Sequence, residues 1–157
     1  HTNDFIYAQW IILQQYKPDY YVIATGEQHS VRKFCELAFS EAGIKIEWKG
    51  KGISERGIIR DIKPTALLKK YDRREHLRDL HKGKTVVAID PRYFRPTEVD
   101  ALLGDPTKAR KKLGWRQKIS FDQMVSEMIE HDLNEGMREA IWKQKGFDVP
   151  DSFEANM

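Results

Sequence analysis

The chain has 157 residues, 40% hydrophobic and 32% charged, with a net charge of +3 and a pI near 8.9, the profile of one soluble globular domain large enough for a core. A mild basic excess permits an anionic ligand without calling for nucleic acid, and the aromatic residues are not interleaved with Lys and Arg as base-stacking platforms require. No run of about 18 apolar residues and no signal-peptide pattern is present, and the one cysteine, Cys35, excludes an intrachain disulfide, so a reducing, cytoplasmic setting with no membrane or nucleic-acid partner is expected.

Asp4 to Gln15 reads as a helix whose broad apolar side is Phe5, Ile6, Ala8, Ile11, Ile12 and Leu13. It begins abruptly, which creates the expectation of further sequence upstream, cut away or supplied by a partner chain. Pro18 and Asp19 end it, and Tyr20 to Ala24 reads as a strand leading into Thr25-Gly26-Glu27. Ser30 caps a helix over Val31 to Ala42, with Lys33 where a capping box would need Glu or Gln, so the cap is single-sided. Within it Cys35 reads as a small buried apolar residue rather than a nucleophile. His29 has no second ligand at metal spacing and reads as loop.

Ile44 to Trp48 alternates as a strand and runs into Lys49-Gly50-Lys51-Gly52. These glycines form neither a dinucleotide fingerprint nor a phosphate loop, and the stretch reads as a turn. From Arg56 to Lys84 ten Lys or Arg face four Asp or Glu, with Ala66 to Tyr71, Leu77 and Leu80 giving a patchy amphipathic helix. That stretch is a basic insertion, read as a solvated excursion in preference to a subunit contact or a ligand-attracting rim. His76 and His81 lie off one-face helical spacing and do not form a metal pair.

Val86 to Ile89 reads as a buried strand stopped by Asp90-Pro91. Pro96 then holds Arg95 extended and opens a helical turn with Thr97, Glu98, Val99 and Asp100. Arg95 and Glu98 on this stiff corner fit two readings. Either they pair with each other at a surface turn, or the guanidinium forks onto phosphate oxygens while the carboxylate accepts from ribose hydroxyls or a guanine edge. Asp105 and Pro106 open a helix whose Lys108, Arg110, Lys111 and Lys112 suit its C-terminal end before Gly114, and Trp115 packs on the domain. Ser120 and Gln123 make a capping box for Phe121 to Leu133, with Val125, Met128, Ile129 and Leu133 as the buried stripe. Residues 136–157, with Gly136, Gly146 and exposed-looking Trp142, Phe147 and Phe153, read as a mobile tail that could dock on a neighbouring subunit.

The string P-R-Y-F-R-P-T-E-V-D, followed by L-L-G-D-P-T-K-A and L-G-W, together with His1-Thr2-Asn3-Asp4-Phe5-Ile6, Leu13-Gln14-Gln15, Val22-Ile23-Ala24-Thr25-Gly26 and Ser30-Val31-Arg32, closely resembles the C-terminal part of the GDP-mannose 4,6-dehydratase family of extended short-chain dehydrogenases/reductases. The resemblance is collinear over residues 1–135 apart from the expanded middle. It implies an α/β fold, a small sheet with several helices, forming the substrate-binding C-terminal part, with the N-terminal Rossmann part absent.

It further implies an enzyme that dehydrates GDP-mannose to GDP-4-keto-6-deoxy-mannose with NADP, and a homo-oligomer for the full-length protein. The Gly-rich fingerprint and the Tyr-x-x-x-Lys pair that carry cofactor and chemistry in the family are missing from this sequence. The chain is therefore expected to need an N-terminal Rossmann partner and to be inactive alone. Carried over by position, Arg95 faces pyrophosphate and Glu98 faces the guanosine sugar or base. Tyr93 and Phe94 shape the corner, and Thr25, with Gly26 and Ser30, lines the cleft unless that loop is merely a capped strand-to-helix turn. A non-catalytic module that binds a sugar nucleotide or holds a subunit is the other class left open.

Overall fold

The structure is a computed structural model that describes residues 1–63, 79–93 and 102–148. Among the described residues four α-helices, α1 (Thr2–Leu13), α2 (Val31–Glu41), α3 (Thr107–Leu113) and α4 (Phe121–Gln144), accompany three strands, β1 (Ile44–Lys49), β2 (Arg56–Ile62) and β3 (Thr85–Ala88). The strands form one antiparallel sheet in the order β1-β2-β3. The expected α/β class with a small sheet is what the chain adopts.

The sheet's central strand, β2, is one that sequence pattern assigned to the basic excursion. Its registers slip by a residue at Lys45/Ile46 against β1 and at Gly57/Ile58 against β3, irregularities that bend and twist a sheet. Gly57 is buried in the middle of it. A Cβ there would come within 3.0 Å of the Val87 Cβ and 3.2 Å of the Trp48 ring, so the absence of a side chain lets Trp48 lie across the strand. Gly50, at φ +89, makes the turn between β1 and β2. Val86 to Ile89, expected to be buried, contributes instead to β3, a half-buried edge strand paired on one side with β2.

Tyr20 to Ala24 joins no ladder among the described residues, so the strand expected there is not formed. Its alternation survives nonetheless. Tyr21 and Ile23 turn inward against a cluster of Ala8, Ala109 and Trp115, while Tyr20 and Val22 face out. Strand-forming residues pair only when a neighbour offers its backbone, and the close neighbour of this run is Gly104, where a Cβ would stand 2.7 Å from that of Ala24.

That cluster is fastened by a buried carboxylate. Asp4, on α1, accepts hydrogen bonds from the backbone N–H groups of Lys118 (3.0 Å) and Ile119 (3.3 Å), and its own carbonyl accepts from Trp115 Nε1 at 3.1 Å. Trp115 is 2% exposed and packs on the domain as expected. His1 adds a contact from the start of α1 to Glu127 on α4 at 3.3 Å.

The apolar side assigned to α1 is only half covered: Ala8 is buried and Ile11 and Ile12 half-buried, but Phe5, Ile6 and Leu13 are exposed, because the helix seats itself along the line of Asp4, Ala8 and Ile11. On α4 the capping box of Ser120 and Gln123 forms on both sides, and Val125 is buried while Met128 is exposed. The helix passes through Gly136 and stops at Gln144, where Gly146 (φ +78) reverses the chain and the Phe147 N–H donates to the Trp142 carbonyl. Residues 136–144 are thus helical. The helix read over Ala66 to Leu80 and Phe153 of the tail lie almost entirely outside the described residues.

Replacing Asp4 by Ala strands two backbone donors and is expected to cost about 1.5–3 kcal/mol, read as a lower urea midpoint at unchanged slope. Gly57→Val, overpacking the sheet beneath Trp48, is expected to cost about 1–3 kcal/mol in the same measurement. Wild-type midpoints would show that neither group is held as described.

Candidate functional site

The site is approached along β3. Its last residues deliver the chain to Asp90, and a single 3-10 turn, Pro91–Tyr93, follows. Proline cannot extend the ladder, and Asp90 takes over the turn. Its carboxylate accepts from the Arg92 backbone N–H at 2.9 Å and from the guanidinium, Nη2 at 2.8 Å and Nε at 3.1 Å, while the Tyr93 N–H donates to the Asp90 carbonyl at 3.1 Å. These donors hold the Asp90 carboxyl below its usual range, the Arg92 side chain contributing most. The Arg92 guanidinium also lies 5.6 Å from the centre of the Tyr93 ring, within cation–π reach. Tyr93 is 63% exposed, so its ring is open to a ligand. Arg95, Glu98 and Phe94 lie outside the described residues.

Thr25 occupies a second, separately built loop. Its hydroxyl donates to the Glu27 carbonyl at 3.2 Å and accepts from the Glu27 N–H at 3.1 Å, closing a tight local turn. Gly26 has φ +77, a value that favours glycine. The Thr25 carbonyl accepts from Arg110 Nη2 at 2.6 Å, which ties the loop to α3. A cavity of about 300 Å³ opens here between Gly26, Leu103, Gly104, Asp105, Pro106 and Arg110. Among the described residues no hydrogen bond joins Thr25 to Tyr93. The loop then reaches Ser30, whose hydroxyl accepts from the Lys33 N–H at 3.1 Å without a reciprocal partner, and His29 stacks on Phe121 at 3.9 Å.

Residues that the sequence marked only as helix stops, starts and helix-end charges position this loop. Asp19 draws in two cations one helical turn apart, Lys108 at 2.6 Å and Lys112 at 3.2 Å. Its carboxyl is lowered to about 2, chiefly by Lys108, then by the Tyr20 N–H and Lys112. Lys108 also sits 3.9 Å from the Tyr20 ring centre. Asp105 accepts from the Thr107 N–H at 2.9 Å just ahead of α3, whose N-cap is Pro106, so the helix starts one residue later than the sequence suggests. The helix held by Asp19 is therefore the one that presents Arg110 to Thr25. A basic cluster after D-P is visible in sequence; that its partner is an aspartate 89 residues away is not.

At the N-terminal end of α2, Arg32 pairs with Glu55 at 2.6 Å and lies 5.6 Å from the Trp48 ring centre, while Trp48 Nε1 donates to Glu36 at 2.9 Å. Among the described residues no group of His, Cys, Asp and Glu is arranged to hold a metal ion. Burial raises the Cys35 thiol, which disfavours the thiolate a nucleophile needs. No helix among the described residues is long and apolar enough to cross a membrane.

Comparison with known proteins places these features in context. A sequence family described as GDP-mannose 4,6 dehydratase matches residues 1–128. A GDP-mannose 4,6-dehydratase of Vibrio cholerae is 44% identical over 154 residues, covering 98% of this chain and 39% of that protein. The enzyme of that name from Yersinia enterocolitica is 43% identical, covering 99% and 39%, and that from Sinorhizobium fredii is 47% identical, covering 85% and 32%. The chain spans less than two fifths of the length of these relatives and matches their C-terminal portion.

The Asp19 clamp has a pH signature. A carboxyl lowered from its ordinary 3.8 to about 2 adds stability above the unfolded value and loses it as pH falls through the folded one. Asp19→Asn should therefore lower the melting temperature at pH 7, by a modest amount because the pair is at the surface. The gap to the parent chain should close between about pH 4 and pH 2. A gap that is constant across that range would mean that the charge is not what Asp19 contributes.

Proposed function

The chain belongs to the GDP-mannose 4,6-dehydratase family, and on that footing we propose that it is the substrate-binding, C-terminal part of an enzyme that dehydrates GDP-mannose to GDP-4-keto-6-deoxy-mannose. The observation that carries this reading is a family match over residues 1–128 that contains the whole Pro91 to Asp100 string. In this reading Arg95 forks onto the pyrophosphate, Glu98 accepts from the guanosine sugar or base, and Tyr93 presents an open ring beside them. Asp90 supports the role by fixing the turn from which the string departs. Thr25 lines the neighbouring part of the cleft, its loop secured by Arg110.

NADP, the cofactor the family implies, does not fit the residues of this chain. The glycine turn at Gly50 and Gly52 links two antiparallel strands through a three-residue 3-10 turn, Gly52–Ser54, and so offers phosphate no α-helix N-terminus, which a dinucleotide cradle needs. The cofactor and its chemistry belong, in this proposal, to a part corresponding to the relatives' length outside the matched region. The isolated chain binds and orients substrate without turning it over. A non-catalytic assembly module is not favoured, since the relatives compared above match 85% or more of the chain and bear the dehydratase name.

Calorimetric titration with GDP-mannose, GDP and UDP-glucose tests the proposal. Both GDP ligands are expected to bind and UDP-glucose is not. Arg95→Ala should lose a charge-assisted contact of about 1.5–3 kcal/mol, roughly ten- to a hundredfold in affinity. Glu98→Gln should weaken GDP by less while leaving pyrophosphate unaffected. Undiminished GDP binding by a folded Arg95→Ala chain would remove the assignment.

A further inference from the structure

Helix α1 is apolar on two opposite sides. At about 100° per residue, Asp4, Ala8 and Ile11 form one stripe, the side that seats the helix. Ile6, Trp10 and Leu13 form a second stripe on the far side at the same spacing, and they are 57%, 57% and 81% exposed. Phe5 and Tyr7 flank it, the Tyr7 ring stacked on Trp10 at 6.1 Å. The helix has one charged residue, Asp4, and it is buried, so the outward face carries no charge at all. A helix that buries one stripe and exposes a second set of large apolar residues, with only the neutral Thr2, Asn3 and Gln9 among them, has a face left to cover, and an exposed apolar patch of this kind marks an interface.

We propose that the Ile6–Trp10–Leu13 face of α1 is the docking surface for the part of the dehydratase polypeptide that lies outside this chain, which makes α1 an interior helix of the whole enzyme. Two observations select this occupant. The relatives are more than twice as long as the region they share with the chain, which is their C-terminal portion, so each relative carries a large body beyond the shared region for such a face to meet. The uncharged face suits a permanent, strongly apolar contact rather than an acidic or basic partner. It also lacks the Lys and Arg flanks by which interfacial helices hold an anionic membrane; the nearby cation, Lys118, is engaged 4.6 Å from the Tyr7 ring centre. The proposal rests on the chain being the C-terminal part of the enzyme.

The test grafts this chain onto the Vibrio cholerae dehydratase in place of its own matched portion and compares the graft with the 157-residue chain. Leu13→Cys, which removes no described core contact, is labelled with a maleimide in both, with Lys143→Cys as the exposed control. Leu13→Cys is expected to react at least tenfold slower in the graft, and Lys143→Cys equally in both. Equal rates at position 13 in a graft that melts in one transition would overturn the proposal. So would a concentration-dependent dimer of the isolated chain, seen by sedimentation and abolished by Leu13→Lys, since a second copy would then be the occupant. GDP titration of the same graft keeps the two readings apart: protection at position 13 without GDP binding would remove the nucleotide-binding reading and leave the interface standing.

Discussion

The fold hangs on one carboxylate. Asp4 reaches from the first helix to the backbone of Lys118 and Ile119, and its carbonyl takes the indole N–H of Trp115. Those three bonds join positions more than a hundred residues apart, and they fix α1 against α3 and the approach to α4. A buried charge is tolerated only when donors surround it, and here the donors are backbone groups that would otherwise be unsatisfied at a loop. The residue is therefore both the cost and the remedy at the same point. With α1 seated, Tyr21 and Ile23 have a wall to pack on, and the chain is led directly into the loop that carries Thr25.

Much of this was readable from residue order. The caps at Ser30 and Ser120, the Asp105 turn just ahead of α3, the strand at Ile44 and the packing of Trp115 all follow from local chemistry that the rest of the chain does not contradict. β2 was hidden because Arg-Gly-Ile-Ile-Arg breaks period-two alternation and sits in a basic run. The glycine turn after β1 was the signal that a returning strand should follow. The last helix was read to end at Leu133, ahead of Gly136, but Gly136 is only a weak point inside it, since an interior glycine costs about 1 kcal/mol, and the true stop comes at Gly146 with its left-handed backbone.

The candidate site divides differently. The residues proposed to meet the ligand, Arg95 and Glu98, are legible only as a string, and they fall outside the described residues. What the structure adds is local order at two described places: an Asp90–Arg92 fork at the Pro91–Tyr93 turn, and an α3 clamp that holds Thr25. No sequence pattern pairs Asp19 with Lys108 or Thr25 with Arg110, because such contacts depend on topology. Periodicity likewise identified α1 as apolar but had no means of separating a side that meets the local core from one that meets another body.

The two anchors differ in how they respond to dissolved ions. Around Asp19 the attraction is between full charges at the surface, and with a screening length of about 10 Å at 0.1 M salt mobile ions compete with Lys108 and Lys112 for the carboxylate. Around Asp4 the partners are neutral amide dipoles in a buried setting, where mobile ions do not enter. Rising ionic strength thus slackens the grip of α3 on the Thr25 loop while leaving the first helix where it is. The salinity of the medium becomes a means of loosening one side of the molecule without disturbing its frame.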